Sequence, residues 1–342
     1  MSSPSNSTLS NNTAPGEHAG DTLWHIKASY GCVGVVLAPV GVLLNILSAL
    51  VWSRPEMMST TAMYIITLSG YNAIYLLLRL NDILEILYSS LIGHNDWYHH
   101  HVFLPTLKVL LPFGIISNVG SKLTTVALAA DRMIGVAFPL KIHSFCTKFK
   151  VKVTLALVLL VSSVVSVPYL MVRYFALNRN AAEQEGSTIS PFQSGFVSSD
   201  FYRVVYRTVL GPVLVSAGSI LSMAVFNIII VMTLRKSRNE VAPITVPATR
   251  RSNFGRSPRT VTVQVMLISV FSILDTVVQH TALVVIKEEG CVILRECSRD
   301  VFVYVHVINS LFTVFFSYFL FGAKFRNGLS NMLGMCCFKR CE

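Results

Sequence analysis

The amino-acid sequence predicts an all-α membrane protein: a bundle of seven transmembrane helices followed by a short amphipathic helix at the membrane surface. Composition is the first reason, because 53% of the residues are hydrophobic and only 13% are charged, whereas soluble domains carry about 25% charged residues. The second reason is a set of seven long runs with one charge or none, each reaching the roughly 20 residues that cross a hydrocarbon core as a helix. These runs cover residues 28–53, 57–78, 109–130, 153–172, 208–234, 260–286 and 301–323.

The distribution of Lys and Arg orients these spans. Most of the 28 basic residues fall within residues 132–152, 235–259 and 324–340, which lie on one side of the bundle. Basic loops face the cytoplasm, so we expect a multi-pass protein of the plasma membrane with its N-terminus outside. Residues 1–27 then form an extracellular tail, in which Asn6 and Asn11 begin glycosylation signals. The net charge of +11 suits a cytoplasmic face beside anionic membrane lipids and needs no nucleic acid.

The seven spans form one domain, residues 28–323, and a cytoplasmic segment of residues 324–342 follows it. Phe325, Leu329 and Met332 recur at helical spacing in this segment, which predicts an amphipathic helix lying in the membrane surface. Thiols beside basic residues at such a surface are candidates for palmitoylation, and ordinary cytosolic cysteines are the alternative. The candidate thiols are those of Cys336 and Cys337.

Short motifs at the ends of the spans resemble those of rhodopsin-type G-protein-coupled receptors. Asp131-Arg132-Met133 closes the third span and Pro139-Leu140 follows it, where the family has Asp-Arg-Tyr and a later Pro-Leu pair. The segment from Pro139 to Cys146 is similar to that of invertebrate FMRFamide-like receptors. Further matches to the family, in chain order, are Gly41, Asn45, Pro168, Pro212 and the seventh-span sequence from Tyr318 to Arg326.

The resemblance implies a receptor that binds an extracellular ligand, here a short amidated neuropeptide, and activates a heterotrimeric G protein, with arrestin as a further partner. In the family, the arginine that corresponds to Arg132 turns toward the G protein on activation; a simple positive-inside anchor is the alternative for this residue. A receptor that does not couple, or that acts constitutively, is the alternative function. A transporter or channel is less favoured because no repeated halves are seen. No nucleophile–base set, metal motif or phosphate loop is present, so the sequence indicates no enzyme, metal site or cofactor.

Several core positions depart from the family pattern. Asn72 stands where the family has Asp and, with Ser121, marks the site where relatives hold sodium, so the lost charge predicts weak or absent sodium regulation. In the sixth span, Phe271 is a predicted core residue, and Asp275, four residues later, occupies the position of the family's Trp. Lys122 and Asp275 are the lone charges of their spans, and burying either alone is costly. We therefore expect a salt bridge between the third and sixth spans, with separate snorkelling or hydration as the alternative.

Polar residues near the outer ends of the spans predict a ligand pocket. Arg79, Asp82 and Glu85 recur every three residues and so share one face of the second span. Carboxylates suit a cationic or amidated peptide end, and pairing among these three side chains is the alternative. A small amine is not favoured, because Gly114 stands where the family's amine-binding Asp would lie. The other pocket candidates are Lys108, Asn118, Gln279, His280 and Tyr304.

The outer side also holds three cysteines and a histidine-rich loop. Leu107 stands where the family has a bridging cysteine, so we expect a disulfide between Cys291 and Cys297, or one from Cys32 to either of them. The loop could bind zinc, but consecutive side chains point in different directions, which favours a solvated loop. Its histidines are His94, His99, His100 and His101.

Overall fold

The computed structural model describes residues 15–93, 96–138, 147–184, 199, 215–241, 256–287, 307–310, 315, 318–319 and 322–332. Throughout these residues the regular structure is helical, with no strand. A short α-helical turn, Asp96–Tyr98, and a π-helical turn, His99–Phe103, lead into the third of the long helices. The other helices, in chain order, are α1 Pro15–Trp52, α2 Thr60–Leu91, α3 Leu104–Ala137, α4 Lys148–Gln184, α5 Gly218–Val241, α6 Arg256–Lys287 and α7 Ala323–Met332.

Helices α1 to α6 are each long and apolar enough to cross a membrane. The prediction of an all-helical membrane protein is therefore confirmed for the described part of the chain, with six candidate spans. The predicted seventh span, 301–323, lies largely outside the described residues, although 307–310, 315, 318 and 319 are helical. The candidate spans are Gly31–Trp52, Thr60–Ser89, His99–Ala137, Lys148–Pro168, Val215–Lys236 and Val261–Val278.

Local sequence sets the ends of the helices. The side chain of Ser59 caps α2 by accepting a 3.2 Å hydrogen bond from the backbone N–H of Ala62. At its other end, Gly93 adopts a φ of 92°, a left-handed conformation that glycine takes without a steric penalty. Helix α1 begins at Pro15, well before the span predicted from residue 28. Proline suits the first helical position and Glu17 suits the helix N-terminus, so part of the predicted tail continues α1.

Glycines let α2 pack closely against both of its neighbours. On one side, Gly31 and Gly34 of α1 face Leu87 and Ile83, and a Cβ on either glycine would lie about 3 Å from those side chains. On the other side, Gly114 and Gly120 of α3 face Leu78 and Tyr71, and a Cβ on these glycines would lie 2.1 Å and 2.7 Å from the nearest side-chain atoms. Small residues of this kind bring transmembrane helices together through van der Waals contact. As a result α2 is the most enclosed of the six candidate spans.

The two ends of the bundle are named here by their residues. The basic end carries Arg132 and the lysines of 148–152, and the histidine end carries His99, His100 and His101. At the basic end, α7 packs Phe325 and Leu329 against α1 in a buried cluster. Apolar side chains on the outer faces of α1, α4, α5 and α6 are exposed, as expected for helices that face lipid. Buried polar side chains lie on each of the helices α1 to α6.

Candidate ligand pocket and signalling site

A polar column runs along the inward face of α2. The guanidinium of Arg79 donates from Nε to the Tyr75 hydroxyl at 2.6 Å and from Nη1 to Asp82 Oδ2 at 2.9 Å. The same guanidinium lies over the Tyr75 ring, 4.9 Å from its centroid. Arg79 and Asp82 thus pair with each other, as one of the two sequence-based alternatives expects. Their charges largely cancel, which leaves Asp82 less able to attract a cationic ligand on its own.

Glu85 does not join this pair and binds a histidine instead. Its Oε1 lies 2.8 Å from Nδ1 of His99, the first residue of the π-helical turn before α3. Its second oxygen, Oε2, is buried and has no hydrogen-bond partner among the described residues. The prediction of a solvated histidine loop is wrong for His99. Its partner lies 14 residues earlier in the chain, and no local sequence pattern predicts this contact.

Two pairs of aromatic rings stack at the histidine end of the bundle. The rings of Tyr88 and Tyr98 stack with centroids 4.3 Å apart. Burial raises the pKa of the Tyr98 phenol above its usual value, and the negative charge of Glu85 adds to that effect. The rings of Trp97 and His101 stack at 5.4 Å. No group of three or more metal-ligating side chains is found among the residues that the structure describes.

Lys122 of α3 and Asp275 of α6 lie in the same part of the core. Lys122 is 6% exposed and Asp275 is 2% exposed, and the two charges interact electrostatically. The charge of Asp275 also acts on Tyr75 of the polar column. Helices α2, α3 and α6 therefore share one polar centre. Direct contact between the Lys122 ammonium and the Asp275 carboxylate stays a prediction.

Uncharged side chains also form hydrogen bonds between the helices. The Ser121 hydroxyl donates to Asn72 Oδ1 at 2.9 Å, which joins α3 to α2. Asn45 is buried, and its Nδ2 donates to the Gly41 carbonyl at 2.8 Å and to the Ser310 carbonyl at 2.9 Å. That bond ties α1 to the helical residues 307–310. Asn45, Asn72 and Ser121 thus form contacts between helices.

Leu78 fills the position beside Gly114. A Cβ built on Gly114 would lie 2.1 Å from Cδ2 of Leu78, so a larger side chain there would require the Leu78 side chain to move. Leu78 therefore occupies the space that an amine-binding carboxylate would need. Asn118, one turn along α3, is partly buried, and its Oδ1 has no hydrogen-bond partner among the described residues. Lys108 is also partly buried.

The end of α3 holds the Asp131–Arg132 pair at the basic end. Asp131 is buried, and its Oδ2 accepts from Nε of Arg132 at 3.2 Å and from Nη2 at 2.5 Å. Tyr318 is fully buried nearby, close enough for its hydroxyl to interact electrostatically with Arg132. The Tyr318 ring also meets Trp52 edge to face at 4.9 Å. Three candidate signalling residues are therefore brought together.

The sequence does not predict a further pair of polar residues in the core. Asn227 of α5 and Ser269 of α6 form a reciprocal pair of hydrogen bonds: Asn227 Nδ2 donates at 2.8 Å, and the Ser269 hydroxyl donates to Asn227 Oδ1 at 3.0 Å. Both side chains are buried. Neither belongs to a recognised motif, and a lone Asn or Ser in an apolar run gave no signal. Their pairing shows only after α5 and α6 are packed together.

One core assignment is corrected. Phe271 is 45% exposed, as are its neighbour Val270 (44%) and Leu274 (54%) one turn further along α6, so it lies at the edge of the exposed face of this helix. It faces outward rather than into the core. Gln279 and His280 lie in α6, but their side chains are outside the described set.

The remaining candidates lie mostly outside the described residues. Cys32 carries a free, exposed thiol, so the alternative disulfide from Cys32 is not formed in this structure. The proposed pairing of the other two outer cysteines is not described. The candidates outside the described residues are Asn6, Asn11, His94, Pro139, Pro212, Cys291, Cys297, Tyr304, Cys336 and Cys337.

The described fold defines the class as an all-helical membrane protein with six candidate spans. No family model matches the chain. The chain is similar to the FMRFamide receptor of Drosophila melanogaster, with 28% identity over 121 residues. The matched region covers 34% of this chain and 22% of that receptor, so the chain matches about a fifth of its relative's length. The similarity and the apolar helices together point to a protein like the G-protein-coupled receptors.

Proposed function

We propose that the chain is a G-protein-coupled receptor of the plasma membrane, with its N-terminus outside, that binds a short amidated peptide and activates a heterotrimeric G protein. The Asp131–Arg132 pair beside buried Tyr318 carries this proposal. A cation at the end of a span is costly unless it is paired or solvated. Release of Arg132 from Asp131 would expose a guanidinium to a partner at the basic end.

The carboxylates at the histidine end favour a ligand with a cationic group and an uncharged, amidated terminus. Arg79 already balances Asp82, whereas Glu85 has a second oxygen, Oε2, with no hydrogen-bond partner among the described residues. A cationic side chain of the ligand would compete with His99 for Glu85 through charge-assisted hydrogen bonds. An amidated end adds no negative charge, which Glu85 would repel. The similarity to an FMRFamide receptor agrees with a peptide ligand.

The proposal also extends to residues outside the described part of the chain. Residues 301–323 would complete a seventh span, and α7 would lie in the membrane surface with palmitate on Cys336 and Cys337. Asn6 and Asn11 would carry glycans, and Cys291 would pair with Cys297. Arrestin and membrane lipids are the further partners proposed. The chain would act without enzymatic chemistry, cofactor or metal.

A receptor that reaches the membrane without coupling is the second candidate. Its support is the buried polar centre of Lys122 and Asp275, which differs from the family's pattern in the sixth span. A salt bridge there would hold α3 to α6 and oppose the opening of the basic end. A transporter or channel is a weaker third candidate, supported only by the same intramembrane charges.

A peptide screen in cells tests the proposed function. Cells expressing the full chain are given a library of short peptides, each in an amidated and a free-acid form, while G-protein dissociation is recorded. We expect a response to amidated peptides that Arg132→Ala abolishes. Arg54→Ala, in the turn between α1 and α2, serves as the matched control because it removes a cation from the connection at the same end. Surface labelling shows that each variant reaches the membrane.

Three outcomes decide between the candidates. A response lost in Arg132→Ala but kept in Arg54→Ala supports a coupling receptor. Equal preference for amidated and free-acid peptides contradicts the ligand class but not the coupling. No response to any peptide, with no basal signal above that of untransfected cells, favours the receptor that does not couple.

A further inference from the structure

The basic-end start of α4 presents an aromatic ring among three exposed cations. Lys148, Lys150 and Lys152 are all exposed, and Phe149 is 75% exposed. The Thr147 hydroxyl oxygen accepts a 3.3 Å hydrogen bond from the backbone N–H of Lys150, which fixes where the helix begins. The directions of these four side chains are therefore set by the helix. An exposed phenylalanine ring at this position is more stable in contact with an apolar molecule outside the bundle than in contact with water.

Helical geometry places Phe149 at the end of an apolar stripe. At 3.6 residues per turn, Phe149 lies on the same face of α4 as Val153, Leu160 and Val164, which are all exposed. Lys148 and Lys152, one turn apart, lie on one flank of this stripe. Lys150 lies on the other flank. The surface is thus an apolar stripe suited to contact with a hydrocarbon chain, and lysines lie on both sides of the stripe at the basic end.

We propose that this surface of α4 binds one acidic phospholipid from the adjacent leaflet, with an acyl chain along the stripe and its headgroup among the three lysines. Lysine ammonium groups bind phosphate as point charges, and their aliphatic stems can lie along an apolar surface while the charge reaches the headgroup layer. Each lysine near an acidic membrane surface contributes about fivefold in affinity. The aromatic ring suits the boundary between headgroup and chain.

The pattern favours an acidic lipid over the other occupants. A zwitterionic lipid would fill the stripe but would bring no net negative charge to the lysines. A soluble phosphate compound would meet the lysines but would gain nothing from Phe149 and the stripe. The cytoplasmic identity of the leaflet depends on the proposed orientation. The binding itself does not, so it is independent of ligand recognition and coupling.

Lipid binding is tested on the purified full chain by native mass spectrometry, with phosphatidylserine or phosphatidylcholine titrated into the detergent. The test variant carries Lys148→Gln, Lys150→Gln and Lys152→Gln together, and all three side chains are exposed. The control carries Arg235→Gln and Lys236→Gln, an exposed basic pair at the same end on α5. A second variant carries Arg at the three lysine positions, and a third carries Phe149→Ala.

We expect the triple glutamine variant to lose about tenfold or more in affinity for phosphatidylserine, with little change for phosphatidylcholine. The control and the arginine variant should stay within about twofold of the unmodified chain, and Phe149→Ala should weaken phosphatidylserine binding. Equal losses in the triple variant and the control would show attraction to overall charge only and would overturn the proposal. Unchanged binding in Phe149→Ala, or full competition by soluble glycerophosphoserine, would also overturn it.

Discussion

The hydroxyl of Ser121 and the side-chain oxygen of Asn72 are joined by a 2.9 Å hydrogen bond between α3 and α2. Asn72 is buried, and neither side chain carries a charge. In the family that the sequence resembles, a carboxylate at the position of Asn72 helps to hold sodium. Here the amide oxygen is already engaged by the hydroxyl that would share the ion. The pair therefore connects two helices without an intrinsic attraction for a cation.

Sodium should consequently have little effect on this protein. We expect the melting temperature of the purified chain to be the same in sodium chloride and in potassium chloride at equal ionic strength. Asn72→Asp should introduce a sodium-dependent rise in melting temperature because it restores a buried carboxylate next to Ser121. Adding Ser121→Ala to Asn72→Asp should reduce that rise. A clear sodium-specific stabilisation of the unmodified chain would contradict this account.

Replacement of Gly114 tests the close approach of α2 and α3. Gly114→Ala should destabilise the bundle by about 1–3 kcal/mol, because its Cβ would lie 2.1 Å from Leu78 Cδ2. Gly70→Ala is the matched control: nothing lies within 4 Å of a Cβ there, and alanine is the better helix former. Thermal unfolding of the purified variants gives the measurement. Equal effects of the two substitutions would show that Gly114 is not a packing contact.

Adding Leu78→Ala to the Gly114→Ala chain sharpens the same test. Leu78→Ala alone removes a buried side chain and should be destabilising. In the double variant the new methyl group occupies part of the space that Leu78 leaves. The double variant should therefore be more stable than the sum of the two single effects implies.

The coupling between Lys122 and Asp275 can be measured by a double-mutant cycle. Lys122→Met leaves the Asp275 carboxylate buried without its cation, and we expect a loss of about 3–5 kcal/mol, as for a broken buried pair. Asp275→Leu should cost a similar amount. The double variant should recover much of the loss because neither charge then remains. Surface expression and thermal stability of the four chains give the coupling, and additive losses would show that the two charges are solvated separately.

The sequence predicts the contacts that are local or that follow from helical period, and little beyond them. The Arg79–Asp82 pair follows from a spacing of three residues on one helix, and the buried positions of Lys122 and Asp275 follow from the lone charge in each span. The Glu85–His99 contact does not, because it joins α2 to a residue 14 positions further along the chain that belongs to another element. The Asn227–Ser269 pair also depends on how two helices are rotated against each other. Phe271 shows the same limit, since its outward direction is set by that rotation.

The Glu85–His99 contact should hold the π-helical turn at the histidine end in place. Glu85→Gln removes the negative charge beside His99, although its side-chain oxygen can still accept a hydrogen bond from the ring. Glu85→Leu removes both, and would also relieve the buried Oε2. We expect backbone amides in residues 99–103 to exchange with deuterium faster in Glu85→Leu than in Glu85→Gln, and faster in Glu85→Gln than in the unmodified chain. The control is Asp82→Asn, which weakens the neighbouring pair with Arg79 and should leave exchange in that turn unchanged. Exchange in residues 99–103 that is insensitive to Glu85→Leu would show that the contact does not secure the turn.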